Sequence, residues 1–277
     1  MKILSFIQIT RPLNVFITFI SAIVAILISK ETDIPGMVYL LAAISAAITA
    51  AGGNIINDYY DIETDKINKP NRPLVTGSIS KSSAIKLYIS LNLAALIPAL
   101  FINMPSFIIV IGAQFLLFYY SYRLKRVPAA GNIVIALLTG LVFIYGGAVS
   151  GSITNSVIPS IFAFLINLVR ELVKDIEDIE GDSSACINTL PITKGINFCK
   201  WIIFSITLLL ILLTFHPFIF NYYKIEFFII VMAVVNPFLI FFLKSFFENQ
   251  SLQNLSRLSN ILKLNMLIGL IAIYMGK

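Results

Sequence analysis

Nine uninterrupted apolar runs dominate this sequence, near residues 13–29, 37–57, 84–103, 105–122, 131–149, 155–173, 198–217, 225–243 and 259–276. Each approaches the roughly 20 residues that a helix needs to cross a hydrocarbon core. In lipid every backbone N–H and C=O must be paired within the protein, so only helices and closed barrels can span it. Barrel strands alternate apolar and polar residues, and these runs do not. The chain is therefore expected to be all-α and polytopic, with nine transmembrane helices. Charged residues make up only 12%, about half the ~25% of a soluble domain, too few to coat a soluble globule. The 58% of hydrophobic residues argues equally against disorder.

The connections carry the next constraint. Met104-Pro105 leaves almost no loop between two runs, which implies a tight turn, and Ser150-Gly151-Ser152 is nearly as short. The first run could be mistaken for a signal peptide, but no clean cleavage site follows it. With the N-terminus in the cytoplasm, all but three of the 20 lysines and arginines fall in inside segments; Lys30, Lys224 and Lys277 fall outside. That asymmetry sets the orientation and supports the count of nine. It also accounts for the net charge of +6 without a nucleic-acid partner. Cys186 and Cys199 are too far apart in sequence for a typical zinc motif or a disulfide framework. His216, the sole histidine, rules out paired-histidine haem ligation and is read as structural, before Pro217.

Two connections are long, about 58–83 and about 174–197, and both are cytoplasmic in this topology. Ten of the 14 acids cluster there: Asp58, Asp61, Glu63 and Asp65 after the second run, and Glu171, Asp175, Glu177, Asp178, Glu180 and Asp182 around the end of the sixth. The chain thus reads as two loosely similar halves. If the second helix continues beyond the membrane, Asn54, Asn57, Asp61 and Asp65 share one face; Glu171, Asp175, Asp178 and Asp182 do likewise on the sixth. Stacked carboxylates repel and need a counter-ion. Oxygen ligands without His or Cys suit Mg²⁺ or Ca²⁺. Two facing arrays, each holding Mg²⁺, would make a receptor for a diphosphate. The plainer alternative is a pair of solvated acidic helix ends. Basic residues adjoin the arrays: Lys66, Lys69 and Arg72 follow the first, Lys174 adjoins the second, and Arg123, Lys125 and Arg126 occupy a short inside loop. Arg72 and Lys125 are read as phosphate-binding, whereas Lys81, Lys86, Lys200 and Lys263 are read as merely setting topology.

The stretch from Asn57 to Asp65, running on through Lys69-Pro70-Asn71-Arg72-Pro73-Leu74, resembles the first aspartate motif of the UbiA superfamily of intramembrane prenyltransferases. Lys174 to Asp182 resembles its second motif. Arg11-Pro12-Leu13-Asn14 and the segment from Tyr120 to Arg126 are also similar to family features. The resemblance implies nine helices around a central cavity capped on the cytoplasmic side, a single transmembrane domain over 1–277, and Mg²⁺-dependent prenyl transfer from a prenyl diphosphate. Within the superfamily the chain is most similar to the archaeal ether-lipid branch. That implies a geranylgeranyl donor, a lipid-phosphate acceptor (geranylgeranylglyceryl phosphate) and a place among membrane lipids in the cell membrane. Asn57, Asp58, Asp61, Asp65, Asp175, Asp178 and Asp182 are the expected metal ligands. Asp61, Asp65, Asp175, Asp178 and Lys125 are the expected catalytic groups. Arg11, Asn14, Asn54, Asn57, Arg72, Tyr120, Tyr122, Arg126 and Lys174 are the expected substrate contacts. Tyr59, Tyr60, Tyr119, Tyr120, Tyr122 and Tyr145 are candidates to support an allyl cation through cation–π attraction. The competing readings are a quinone-type aromatic or haem-vinyl acceptor at the same site, and a cation or phosphate transporter.

Overall fold

The computed structural model describes residues 2–184 and 187–277, so Cys186 lies outside the described residues. Among these, nine helices are long and apolar enough to cross a membrane. They are α1 (Pro12–Ser29), α2 (Gly36–Tyr60), α3 (Lys81–Ile102), α4 (Met104–Tyr122), α5 (Ala130–Ser150), α6 (Val157–Glu177), α7 (Ile196–Leu213), α8 (Ile225–Glu248) and α9 (Leu252–Gly276). Each apolar run lies largely within one helix, as expected.

Local chemistry sets the ends. Pro12 occupies the first turn of α1, where its missing N–H is harmless. Asn103 separates α3 from α4, and its side chain accepts the Ser106 N–H at 2.8 Å, so the expected tight turn is one capping residue. Gly151 ends α5 at φ 79, a left-handed conformation that favours glycine. α8 contains a π turn over Val231–Val235, just ahead of Pro237, which cannot donate to the helical ladder. His216 opens a one-turn helix after α7, stacks on Tyr222 and packs at a tilt against Phe220.

Within the bundle α2 packs on α3, α5 on α6, and α1 on both α2 and α5. The α1–α5 crossing is close because Gly146 has no side chain; a Cβ there would meet Ala25 Cβ at 2.5 Å.

Two breaks matter most. α2 ends at Tyr60 and a short helix, Ile62–Asn68, follows; α6 ends at Glu177 and Ile179–Ser184 follows. The junction residues are Asp61 and Asp178, with nearly identical dihedrals of φ −93, ψ 5 and φ −94, ψ 7. Helical hydrogen bonds nevertheless run through both, from Asp61 N to Asn57 O at 3.0 Å and from Asp178 N to Lys174 O at 2.8 Å. The acidic arrays therefore keep their shared face while the backbone leaves ideal α geometry at each aspartate. The two short helices pack on each other, and Gly181 lies so near Asn68 that a Cβ would fall 2.2 Å from its Oδ1.

Candidate active site

A cavity of about 560 Å³ opens where the aspartate junctions meet and runs down between the helices. Its mouth is lined by Asn57, Asp61, Asp65, Asp175, Asp178 and Asp182, and its depth by Ile135, Leu138, Val142, Phe162, Ile166 and Leu270. The mouth is acidic, and apolar side chains line most of the slot below it.

The first junction is wired to cations. Asp61 Oδ2 accepts a hydrogen bond from Asn57 Nδ2 at 2.7 Å and an ion-pair bond from Lys125 Nζ. Arg72 Nη1 bridges two carboxylates, donating to Asp58 Oδ1 at 2.8 Å and to Asp65 Oδ2. At the second junction Asn132 Nδ2 donates to Asp175 Oδ2 at 2.9 Å, and Lys69 Nζ lies 3.7 Å from Asp178 Oδ2. Lys69 thus links the first loop to the second motif. Burial pushes the Asp65 carboxyl above its usual range despite Arg72. Burial likewise pushes Asp182 up to about 6, with Lys125 opposing. For Lys125, burial works against the charge, but Asp61 beside it prevails and holds the ammonium protonated.

Most of the expected residues converge. Arg11, Asn14, Asn54, Asn57, Arg72, Tyr120, Lys125 and Lys174 all line the cavity, as do Asp61, Asp65, Asp175, Asp178 and Asp182. Three expected residues stand elsewhere. Asp58 is 3% exposed, lies outside the cavity lining, and is clamped by Arg11 and Arg72. Its place follows from helical geometry: one residue past Asn57 means a rotation of about 100°, off the shared face. Tyr122 is 52% exposed and stacks on Phe118, because two residues from Tyr120 carry it about 200° around α4. Arg126 is exposed beside the inward Lys125. Of the tyrosines, Tyr120 and Tyr145 line the cavity, whereas Tyr59, Tyr60 and Tyr119 do not. Asn54 also ties α2 to the chain before α1, donating to Thr10 O at 2.8 Å.

Sequence reasoning missed Asn132, Asn167, Arg170 and Lys263, all of which line the cavity. Lys263 corrects the topology-only reading: its ammonium turns inward to Asn14 Oδ1 at 3.2 Å. A signal existed, since a lone lysine inside an apolar run is costly unless it faces a polar interior.

The donor set suits a hard divalent cation: carboxylate oxygens and the Asn57 amide, with no sulfur or imidazole. Among the described residues no three acidic, His or Cys side chains form a ready-made metal cage. Mg²⁺ takes one or two carboxylates and fills its shell with water and substrate phosphates.

The model of the UbiA prenyltransferase family matches residues 18–267. A digeranylgeranylglyceryl phosphate synthase of Methanosphaera stadtmanae is 34% identical over 273 residues, covering 98% of each chain. A solved digeranylgeranylglyceryl phosphate synthase structure superposes with a TM-score of 0.81 at 32% identity, covering 99% of this chain and 98% of that one. A UbiA homologue from Archaeoglobus fulgidus, solved with GPP and Mg²⁺, shares the fold with a TM-score of 0.77 at 21% identity, covering 97% and 99%.

Proposed function

The chain belongs to the UbiA prenyltransferase family, and from that premise we propose that it transfers a geranylgeranyl group from geranylgeranyl diphosphate to geranylgeranylglyceryl phosphate. The product carries the second ether link of an archaeal-type membrane lipid. The protein is a multi-pass membrane protein; we place its N-terminus and the cavity mouth on the cytoplasmic side, where the positive-inside rule puts the two long loops. The observation that carries the reading is the pairing of two aspartate junctions at the mouth of an apolar slot.

Asp61, Asp65, Asp175, Asp178 and Asp182, with Asn57, would hold Mg²⁺, which when bound supplies Lewis-acid stabilisation of the diphosphate leaving group. Lys125 and Arg72 already face these carboxylates and add positive charge where the leaving diphosphate gathers negative charge. The allylic C–O bond breaks as that charge is neutralised. Apolar walls such as Ile135, Leu138, Val142 and Phe162 hold the prenyl chain and keep water from the cation. Tyr120, on the cavity wall, offers its ring face to the developing allyl cation. The acceptor hydroxyl attacks the allylic carbon, and its proton leaves to a motif carboxylate or to the departing diphosphate.

The test is a transfer assay on purified protein in detergent, with labelled geranylgeranyl diphosphate and either geranylgeranylglyceryl phosphate or an aromatic quinone precursor, with and without EDTA. EDTA-sensitive product from the lipid phosphate is expected. Product from the aromatic acceptor alone would move the protein to quinone-type prenylation, and no product with either would overturn the reading.

A further inference from the structure

The cavity holds a second charged group, deeper than the aspartate junctions. Asn167, Arg170 and Lys174 share one face of α6 at i, i+3 and i+7, and Lys263 faces them from α9, which packs on α6. Arg170 is eight residues before Asp178, about 12 Å along the helix. Lys263 lies eleven residues, about 16 Å, past the start of α9.

The charges here do not balance. Glu171 takes Arg170 Nη1 at 2.9 Å and Lys174 Nζ at 3.3 Å. Lys263 Nζ donates to the neutral Asn14 Oδ1 at 3.2 Å. Glu171 thus serves both Arg170 and Lys174, and among the described residues no carboxylate pairs with Lys263. Two buried donors also lack partners among the described residues: the Asn167 Nδ2 amide, on a residue 4% exposed, and Arg170 Nε. Buried N–H groups and unneutralised cations are costly unless an acceptor of opposite charge arrives. A phosphate monoester, with a charge of about −1.5 to −2 at pH 7 and three acceptor oxygens, matches both needs.

We propose that Asn167, Arg170 and Lys263 form an anion subsite, separate from the diphosphate site, that binds the phosphate of the acceptor lipid. The inference rests on the prenyl-transfer reading and deepens it, because an acceptor without a phosphate gains nothing here. Along α6 Arg170 lies about 7.5 Å from Asp175 and about 12 Å from Asp178, a span that the acceptor glycerol and the reacting carbon would bridge. Lys263 and Arg170 would thus select the acceptor and hold its hydroxyl toward the donor.

The test is equilibrium binding to the full-length protein in detergent, in EDTA and without donor. The probes are geranylgeranylglyceryl phosphate and its dephosphorylated counterpart. Wild type is expected to prefer the phosphate form. Lys263→Gln should weaken that form about tenfold to a hundredfold, the size of a lost charged hydrogen bond, and leave the dephosphorylated form unchanged. Lys263→Arg should restore the preference, and Asn167→Asp should weaken it by placing a negative charge at the subsite. Binding of a non-hydrolysable geranylgeranyl diphosphate analogue with Mg²⁺ should stay at the wild-type level in Lys263→Gln, which also shows that the variant is folded. Equal affinity of Lys263→Gln and wild type for the phosphate form would overturn the proposal. So would a uniform loss for all three ligands. If the phosphate preference depends on Lys263 but no transfer to this acceptor occurs, the subsite stands and the proposed activity falls.

Discussion

Asp58 offers the sharpest test of what the structure adds. By motif it belongs with the metal ligands; by geometry it is a strut. Its side chain is 4% exposed, and Oδ1 receives both Arg11 Nη2 and Arg72 Nη1. Asp58→Ala leaves two guanidinium groups facing each other across a buried gap. Removing one partner of a buried ion pair costs about 3–5 kcal/mol. The lower end applies here, because Arg72 keeps Asp65 and Arg11, 29% exposed, can rehydrate. A loss of about 3 kcal/mol corresponds to roughly 6 °C in Tm at about 2 °C per kcal/mol for a chain of this size. Asp58→Asn, which keeps an acceptor but not the charge, should lose less. The assay pairs thermal unfolding in detergent with the Mg²⁺ concentration giving half-maximal transfer. For Asp58→Ala the first should drop and the second should hold; Asp61→Ala should abolish transfer. An Asp58→Ala protein of wild-type Tm with weakened Mg²⁺ dependence would refute the strut and return Asp58 to the metal.

Three further outcomes are expected. Lys125→Met leaves Asp61 with the Asn57 hydrogen bond and removes a cation from the leaving-group end; single-turnover transfer should fall about 10²–10³-fold, and a rate within a few-fold of wild type would show that Lys125 only braces Asp61. Burial raises Asp65 and brings Asp182 to about 6, so both take up a proton at higher pH than an ordinary aspartate, and that proton competes with the cation; the half-activating Mg²⁺ concentration should climb as pH falls through 6 and level off above about 7, and a flat profile from pH 5 to 8 would contradict this. Gly146→Ala drives a Cβ into Ala25, 2.5 Å from its Cβ and 2.6 Å from its backbone carbon, which should cost about 1–3 kcal/mol and lower the Tm by several degrees; Gly112→Ala, with open space around it, should not.

Much of this molecule is legible along the chain. Among the described residues, nine membrane-spanning helices follow from nine apolar runs because lipid leaves the backbone no other way to satisfy its hydrogen bonds. The aspartate arrays follow from helical periodicity, which places Asn57, Asp61 and Asp65 on one side however the helices pack. What a linear pattern cannot settle is which way a residue at the margin of a face turns, or what it meets there. Asp58 carries the same carboxylate as Asp61, yet about 100° of rotation puts it between two arginines instead of in the cavity. Tyr122 leaves the site for the same reason. Lys263 runs the other way: it reads as a topology signal, and only the packing of α9 against α1 and α6 brings its ammonium to Asn14 and into the cavity that Arg170 also lines. Asn132 could not be paired with Asp175, 43 residues on, until α5 and α6 were side by side. Periodicity is a property of one helix and is written in the chain. Charge balance and burial belong to several helices at once, so they exist only after the bundle has closed.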